Sequence, residues 1–231
     1  MVKFFFKING RILNNIKIVF HGILLCLIVM ILSCESPVKY HRPQDNWAFR
    51  SVLDGKPRML NLALDTNMYV SYDLELAKIY KIWQGGIRLD GAVYTTAHGV
   101  QPTSFGYTFY EDKTYINQWR LRRDGVDNKA AINYVGYTFK KGQITIEYEL
   151  IAKSGEKVRI KETPEYMSEK TGTGLYRKFH VDTKSSNYTP VLSFSVDEAK
   201  VEMIKNDGGS LEKTETAAKL VLSDKIGRAH V

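Results

Sequence analysis

Two nearby segments, residues 144–150 and 158–161, alternate strictly between apolar side chains and polar or charged ones. A period of two is the pattern of a β-strand with one buried and one exposed face, and a helix cannot place such residues on one side. Turn sequences rich in lysine, serine and glycine precede the first segment and separate it from the second. The pattern predicts a three-stranded antiparallel meander over Ile132–Thr163.

The charges of this meander are complementary. The polar face of its middle strand is acidic, whereas that of its third strand is basic. Antiparallel pairing is therefore expected to place opposite charges across the ladder, a gain of about 0.2–1 kcal/mol per pair. The residues concerned are Glu147 and Glu149 on one strand, and Arg159 and Lys161 on the other.

The rest of residues 46–225 consists of short β-type runs with turn residues between them, and it shows no sustained helical period or internal repeat. Many short antiparallel strands at close spacing predict an all-β fold, an antiparallel β-sandwich. Leu211–Leu222 is compatible with either a helix or a strand. The other predicted strands are Met59–Leu64, Met68–Tyr72, Lys78–Trp83, Gly91–Thr96, Phe105–Tyr110, Gln118–Arg122, Leu175–Asp182, Pro190–Val196 and Lys200–Lys205.

Residues 1–33 have the organisation of an export signal, with a basic region up to Lys17 and an apolar stretch of 15 residues. That stretch is short for a transmembrane helix, which needs about 20 residues. It ends in Ile31-Leu32-Ser33-Cys34, which resembles a bacterial lipobox. The resemblance implies a lipoprotein signal peptide, cleavage before Cys34 and lipid attachment to its thiol. The alternative is an inner-membrane anchor with an incidental cysteine.

Cysteine usage agrees with lipidation. The chain has two cysteines, Cys26 inside the signal and Cys34 at its end. The mature domain would then contain neither a free thiol nor a disulfide, although an exported protein is permitted disulfides. Residues 34–45 are polar, include two prolines and lack periodicity, so they are interpreted as a tether between the lipid and the domain.

The net charge of +8 suggests nucleic acid at first sight, but residues 1–33 contribute four basic and no acidic residues. The remainder holds 29 basic and 25 acidic residues, a net charge of +4, without a block rich in lysine and arginine. A nucleic-acid-binding protein is therefore not predicted.

The last six residues, 226–231, match one reading frame of a common short-read sequencing adapter. They are interpreted as an artefact and excluded from the fold. On this interpretation the chain is an amino-terminal fragment, and its β-sandwich domain is truncated on the C-terminal side.

The most unusual segment is Gln84–Tyr107, which contains five glycines. Glycine permits positive φ and a close approach to a ligand or to another strand. The segment is interpreted either as a binding loop or as tight sandwich loops with hydrogen-bonded polar residues. Its candidate ligand-binding side chains are Arg88, Asp90, His98 and Gln101.

No metal site, bound cofactor or catalytic centre is predicted for the fragment. Only three histidines lie between the signal and the last six residues, at no ligand spacing, and no haem-attachment, nucleophile-elbow, phosphate-loop or zinc-protease motif is present. Asp90 with Glu162 or Glu165 would make a glycosidase pair only at a separation of about 5–10 Å. The fragment itself is therefore predicted not to be an enzyme.

Aromatic side chains offer a second type of binding site, because they either stack on sugar rings or fill a sandwich core. Trp83 ends an apolar run and is predicted to lie in the core. Trp119 stands beside Arg120, Arg122 and Arg123 and is predicted to be the exposed tryptophan, a candidate for stacking on a ligand.

Five segments of the chain carry a resemblance to a known family. They are WAFRSVLDGKPRML (47–60), YKIWQGG (80–86), DGAVYTTAHGVQPTS (90–104), ETPEY (162–166) and TGLYRKF (173–179). These segments resemble the amino-terminal β domain of a family of bacterial exported multidomain proteins. In that family the domain precedes a c-type cytochrome domain and, often, a quinoprotein-type sugar dehydrogenase propeller. The resemblance covers residues 46–181 and carries no catalytic assignment.

The resemblance implies that haem c and PQQ belong to a missing downstream part. The first functional hypothesis is a non-catalytic module of a lipid-anchored periplasmic or surface electron-transfer protein, positioning the downstream domains or presenting substrate. The second is a carbohydrate-binding module of a glycan-processing surface lipoprotein. A third, an enzyme, rests only on Asp90 and His98. The expected partners are a membrane, the downstream domains and a saccharide.

Overall fold

The computed structural model describes residues 46–91, 99–169, 172–183, 186–195, 202–206, 209–214, 217–222 and 227–230. All regular structure within these residues is β-strand, in three antiparallel sheets. None of the described residues forms a helix of the length and apolarity needed to cross a membrane. The predicted signal peptide, tether, Cys34 and His98 lie outside the described residues, as does most of the predicted strand Gly91–Thr96.

The first sheet is a meander in which each strand pairs with the next along the chain. Short turns join its first four strands, because the connecting residues include Asp54-Gly55 and Asp65-Thr66-Asn67. Its strands are β1 (Trp47–Leu53), β2 (Lys56–Ala63), β3 (Met68–Asp73), β4 (Lys78–Arg88) and β5 (Thr103–Glu111).

The other two sheets interleave along the chain. The second sheet has the order β13-β16-β11-β10-β9-β8, and the third has the order β14-β15-β12-β6-β7. Their strands are β6 (Trp119–Arg123), β7 (Val126–Lys129), β8 (Ala131–Lys140), β9 (Gln143–Ile151), β10 (Lys157–Glu169), β11 (Gly172–Asp182), β12 (Thr189–Ser195), β13 (Glu202–Asn206), β14 (Gly209–Lys213), β15 (Ala217–Leu222) and β16 (Gly227–His230).

The predicted all-β class and the strands that fall in the described part are confirmed. Leu211–Leu222, which was compatible with helix or strand, contains two strands, because β14 and β15 form a hairpin. Strand β16 was not predicted, because residues 226–231 had been excluded from the fold, although Gly227–His230 pairs with β11 and β13. Strands β1 and β7 were not predicted either. In both β1 and β7, polar or half-exposed residues interrupt the alternation of buried and exposed side chains, so the sequence shows no clear period of two.

The meander β8-β9-β10 forms as predicted, with Ile160 opposite Tyr148 and Arg159 opposite Glu149. Arg159 contacts Glu149 at 3.0 Å and Glu147 at 3.3 Å. Hydrogen bonds from Arg159, Asn133 and Lys157 lower the pKa of Glu149 to about 2. Opposite charges therefore meet across the ladder, although Arg159 rather than Lys161 is the ion-pair partner of Glu147.

The sheets form a sandwich around one core. The inner face of the second sheet packs against the first sheet through Tyr72 and Glu162, and against the third through Trp119 and Phe179. Trp119 also donates its indole N–H to the carbonyl of Ala77, which joins the first and third sheets. The first and third sheets together thus form the layer that faces the second.

The prediction of an exposed Trp119 is wrong. Its side chain is completely buried, with its ring 5.5 Å from that of Tyr148 and 5.9 Å from that of Phe179. In β6 the arginines and the apolar residues alternate, so the neighbouring charges mark the opposite face of the strand rather than the exposure of Trp119. Trp119 cannot stack on a ligand.

Candidate binding site

The distal part of the β4–β5 pair folds back over the outer face of the first sheet. Ser104 is the register partner of Ile87, and Ile87 follows Lys81 by six residues along β4. In a straight strand these six residues would span about 20 Å. The Lys81 ammonium nevertheless lies 2.9 Å from the Ser104 hydroxyl. We call this folded-back part, residues 84–88 with 103–107, the arm.

Two glycines allow the bend. Gly85 and Gly106 face each other across the pair and have φ angles of 148° and 115°. A Cβ on either residue would overlap a backbone carbonyl oxygen of the other strand, that of Phe105 or that of Gln84. The glycines of this segment therefore serve a close approach between two strands, one of the two uses expected from the sequence.

A polar cluster holds the arm against the first sheet. We call its residues the latch: Asp54, Tyr80, Lys81, Ser104 and Glu111. The Ser104 amide and hydroxyl both donate to Asp54, each at 2.7 Å, and the Asp54 amide donates to the carbonyl of Pro102. The Tyr80 hydroxyl lies 3.0 Å from a Glu111 oxygen and 3.3 Å from an Asp54 oxygen. Lys81 lies within 3.7 Å of both carboxylates.

The latch is structural rather than nucleophilic. Burial and the two neighbouring carboxylates raise the pKa of Tyr80, so its hydroxyl keeps its proton and donates it. Partial burial of Glu111 opposes its ionisation. Hydrogen bonds from Lys113 and Tyr80 outweigh this effect of burial, so the pKa of Glu111 is lowered. Lys81 donates a hydrogen bond to the Ser104 hydroxyl, and that hydroxyl in turn donates to Asp54.

Beneath the arm lies a second apolar cluster, separate from the main core. Trp83, which was predicted to be a core residue, is completely buried there; its ring stacks on Tyr69 at 5.3 Å and its N–H donates to the carbonyl of Gly86. The first sheet is therefore apolar on both faces. The cluster consists of Leu53, Met59, Ala63, Tyr69, Tyr80 and Trp83, with Trp47 and Ile87 packed against it.

A row of exposed rings runs along β5, from the outward face of the arm to Phe109 just beyond it. Phe105, Tyr107 and Phe109 are 46%, 68% and 43% exposed. Gln84 is exposed opposite Tyr107, and the Arg88 guanidinium lies 5.4 Å from the centroid of the Phe105 ring. We call these five residues the aromatic platform.

The platform is a built surface rather than a chance exposure of single side chains. The Phe105 ring lies over Gly86, where a Cβ would come within 2.6 Å of it, so this glycine lets the ring lie against the backbone of β4. The Tyr107 and Phe109 rings meet edge to face at 5.0 Å. Adjacent exposed aromatic side chains of this kind mark an interaction site.

The other predicted site residues do not join one centre in the described part. Arg88 belongs to the platform, whereas Asp90 is exposed and Gln101 half-buried in the connection between β4 and β5. Glu162 is completely buried in the core, where it is paired with Arg177, and Glu165 is paired with Lys178. Within the described residues, no three metal-ligating side chains come together.

The sequence interpretation missed the aromatic platform. Its only signal is the alternation of Phe105, Tyr107 and Phe109 with smaller residues, which is also the pattern of a buried strand. Alternation shows that a strand has two unlike faces but does not tell which of them is covered.

No protein-family model matches this chain, and comparison with curated proteins and with solved structures gives no match. The chemistry of the site is therefore argued from its own geometry.

Proposed function

We propose that the β-sandwich is a non-catalytic binding module and that the aromatic platform is its binding surface for a saccharide. The observation that carries the proposal is the row of exposed rings along β5, flanked by an amide and a guanidinium. The apolar C–H faces of a sugar ring pack against aromatic rings, and its hydroxyl groups exchange hydrogen bonds with side chains such as Gln84 and Arg88.

Contacts within the domain hold the arm in place without a ligand. The glycine bend, the latch and the Trp83 cluster hold the arm against the first sheet, so little conformational freedom remains to be lost on binding. Preorganisation of this kind favours affinity without a large contact area.

The carboxylates around the sandwich favour a non-catalytic role. Hydrogen bonds from Arg122 and Lys219, opposed by some burial, lower the pKa of Asp127 to about 2. Burial opposes ionisation of Asp112, but hydrogen bonds from Lys78 and Thr114 prevail and lower its pKa. A general acid or base works best with a pKa near the operating pH, and these groups are held away from it.

Within a longer lipid-anchored protein, the proposed role of the module is to present sugar to downstream electron-transfer domains, a cytochrome and a sugar dehydrogenase. The alternative occupant of the platform is one of those domains, because exposed aromatic residues also serve protein interfaces. Saccharide is favoured by the mixture of rings and hydrogen-bonding groups on the platform. The two occupants are separated by binding tests with isolated polysaccharides.

Tyr107→Ala is expected to weaken retention of the chain by a bound polysaccharide about tenfold, because it removes the most exposed ring of the platform. Its thermal unfolding should stay nearly unchanged, since little of this ring is buried. Affinity electrophoresis against a panel of soluble neutral and acidic polysaccharides measures the effect.

The matched control is Tyr137→Ala, which removes an exposed ring from β8, outside the platform, and should leave retention unchanged. Equal losses in both variants, or no retention of the wild-type chain by any polysaccharide of the panel, would contradict the proposed function.

The proposed lipid anchor has its own test. Cys34→Ser is expected to stop processing by the lipoprotein signal peptidase and to abolish incorporation of a radioactive fatty acid, because the thioether cannot form. Cys26→Ser, inside the signal, should leave processing and labelling intact. An unlabelled wild-type chain would refute the anchor.

A further inference from the structure

We propose that the aromatic platform selects acidic glycans and that Arg88 is the residue that binds their anionic groups. The proposal rests on the proposed saccharide-binding function and adds the substrate class. The shared ligand chemistry is an oxyanion carried by a sugar ring, either the carboxylate of a uronic acid or a sulfate ester.

Arg88 is exposed, and its guanidinium lies against the Phe105 ring. Within the described part of the chain, no carboxylate approaches it within ion-pair distance. Most other described arginines are neutralised, because five of them form ion pairs with a carboxylate. These five are Arg58, Arg122, Arg123, Arg159 and Arg177.

The carboxylates of the latch, next to the arm, bind other partners than Arg88. Asp54 and Glu111 belong to the latch, where Lys81, Tyr80 and Ser104 engage them. Asp90 follows Arg88 by two residues and is exposed in the connection to β5. Arg88 is thus the charged residue that the structure places against the platform rings, and its positive charge is not compensated there.

The position of the Arg88 guanidinium over the Phe105 ring, 5.4 Å from the ring centroid, prepares it for an anion. Arginine presents its N–H donors in a planar fork that matches a carboxylate or a sulfate with two parallel hydrogen bonds. Contact with an aromatic ring restricts the position of this fork and leaves N–H donors available for a ligand. A sugar ring seated on the exposed rings would bring its acidic substituent to this edge.

The test compares polygalacturonate with fully methyl-esterified polygalacturonan, two polymers with the same backbone in which a neutral methyl ester replaces each carboxylate. The wild-type chain is expected to bind the charged polymer about tenfold more tightly, and this preference should decline as salt rises. Arg88→Gln should lose the preference and bind the charged and the neutral polymer with equal affinity, because glutamine keeps hydrogen-bonding capacity without charge. Isothermal titration measures both affinities.

The matched control is Arg123→Gln, because Arg123 also lies 5.4 Å from a tyrosine ring, that of Tyr188, but outside the platform. This variant should keep the full preference. A sulfated galactan is tested in the same way. If the affinities for both acidic polymers depend equally on Arg88, the site is assigned to oxyanions in general. If only the affinity for polygalacturonate depends on Arg88, the site is assigned to uronates.

Three results would overturn the inference. The wild-type chain could bind the charged and the esterified polymer with equal affinity, and Tyr107→Ala could lose both affinities. That result would refute the selection of acidic glycans and would not contradict the proposed function. A preference that survives Arg88→Gln, or is lost equally in Arg123→Gln, would refute the role of Arg88. Failure of the chain to bind any of these polymers or those of the wider panel would refute both.

Discussion

Replacement of Glu162 by alanine is expected to lower the free energy of unfolding by about 3–5 kcal/mol, because it leaves a buried arginine without its counter-charge. Glu162 is 0% exposed and its partner Arg177 is 1% exposed. The guanidinium donates to both carboxylate oxygens, at 2.6 Å and 3.1 Å. Chemical unfolding followed by fluorescence of the buried tryptophans measures the loss.

The Glu162 carboxylate is satisfied from two layers of the sandwich. The Tyr72 hydroxyl of the first sheet donates to it at 2.7 Å, and the Tyr148 hydroxyl of the second sheet donates at 3.0 Å. Burial in the first place, and then the negative charge of Glu162, raise the pKa of both tyrosines, so they remain donors across the accessible pH range. Removing the carboxylate therefore leaves three buried groups without a partner.

The matched control is Glu165→Ala on the same strand, because Glu165 pairs with Lys178 at a partly exposed position. Its loss should stay below about 1 kcal/mol. A double variant, Glu162→Met with Arg177→Met, should recover much of the stability, because it removes both charges and fills the space. A cost of less than about 1 kcal/mol for Glu162→Ala would contradict the buried pair.

Gly106→Val is expected to lower the free energy of unfolding by about 2–4 kcal/mol and to abolish saccharide binding together with it. The φ angle of 115° is one that residues with a side chain rarely adopt, and the new Cβ would overlap the carbonyl oxygen of Gln84. Since both strands are constrained by the bend, the arm would have to leave the sheet and expose Trp83.

The matched control is Gly136→Val on β8, where an added Cβ meets no atom within 4 Å and φ is not positive. This variant should change stability by less than about 0.5 kcal/mol. The accessibility of Trp83, measured by fluorescence quenching, reports the opening of the arm. A Gly106→Val protein of wild-type stability and quenching would show that the bend does not depend on this glycine.

The local pairing of the strands could be predicted from the sequence. In β9 and β10 the period of two and the turn residues agree with one another, and the opposite charges of Glu149 and Arg159 support the same register. Interactions of this kind join residues close in the chain, so the sequence pattern contains them directly.

The sequence could not show the platform or the buried pair, because both depend on what covers a strand. Phe105 and Ile160 each lie in an alternating run, yet Phe105 is exposed on the arm and Ile160 lies in the core. Trp119 was expected outside because of its arginine neighbours and lies inside because the second sheet covers its face of β6.

The folding of this chain into short antiparallel strands follows from the order of its residues, since side-chain period and turn chemistry are local properties. Which face of each strand meets another sheet depends on the packing of the whole domain, because alternation defines two faces and assigns neither to the core. The same holds for the arm: the sequence contains Gly85 and Gly106, but their register across the pair makes the bend and places Phe105, Tyr107 and Arg88 on one exposed surface.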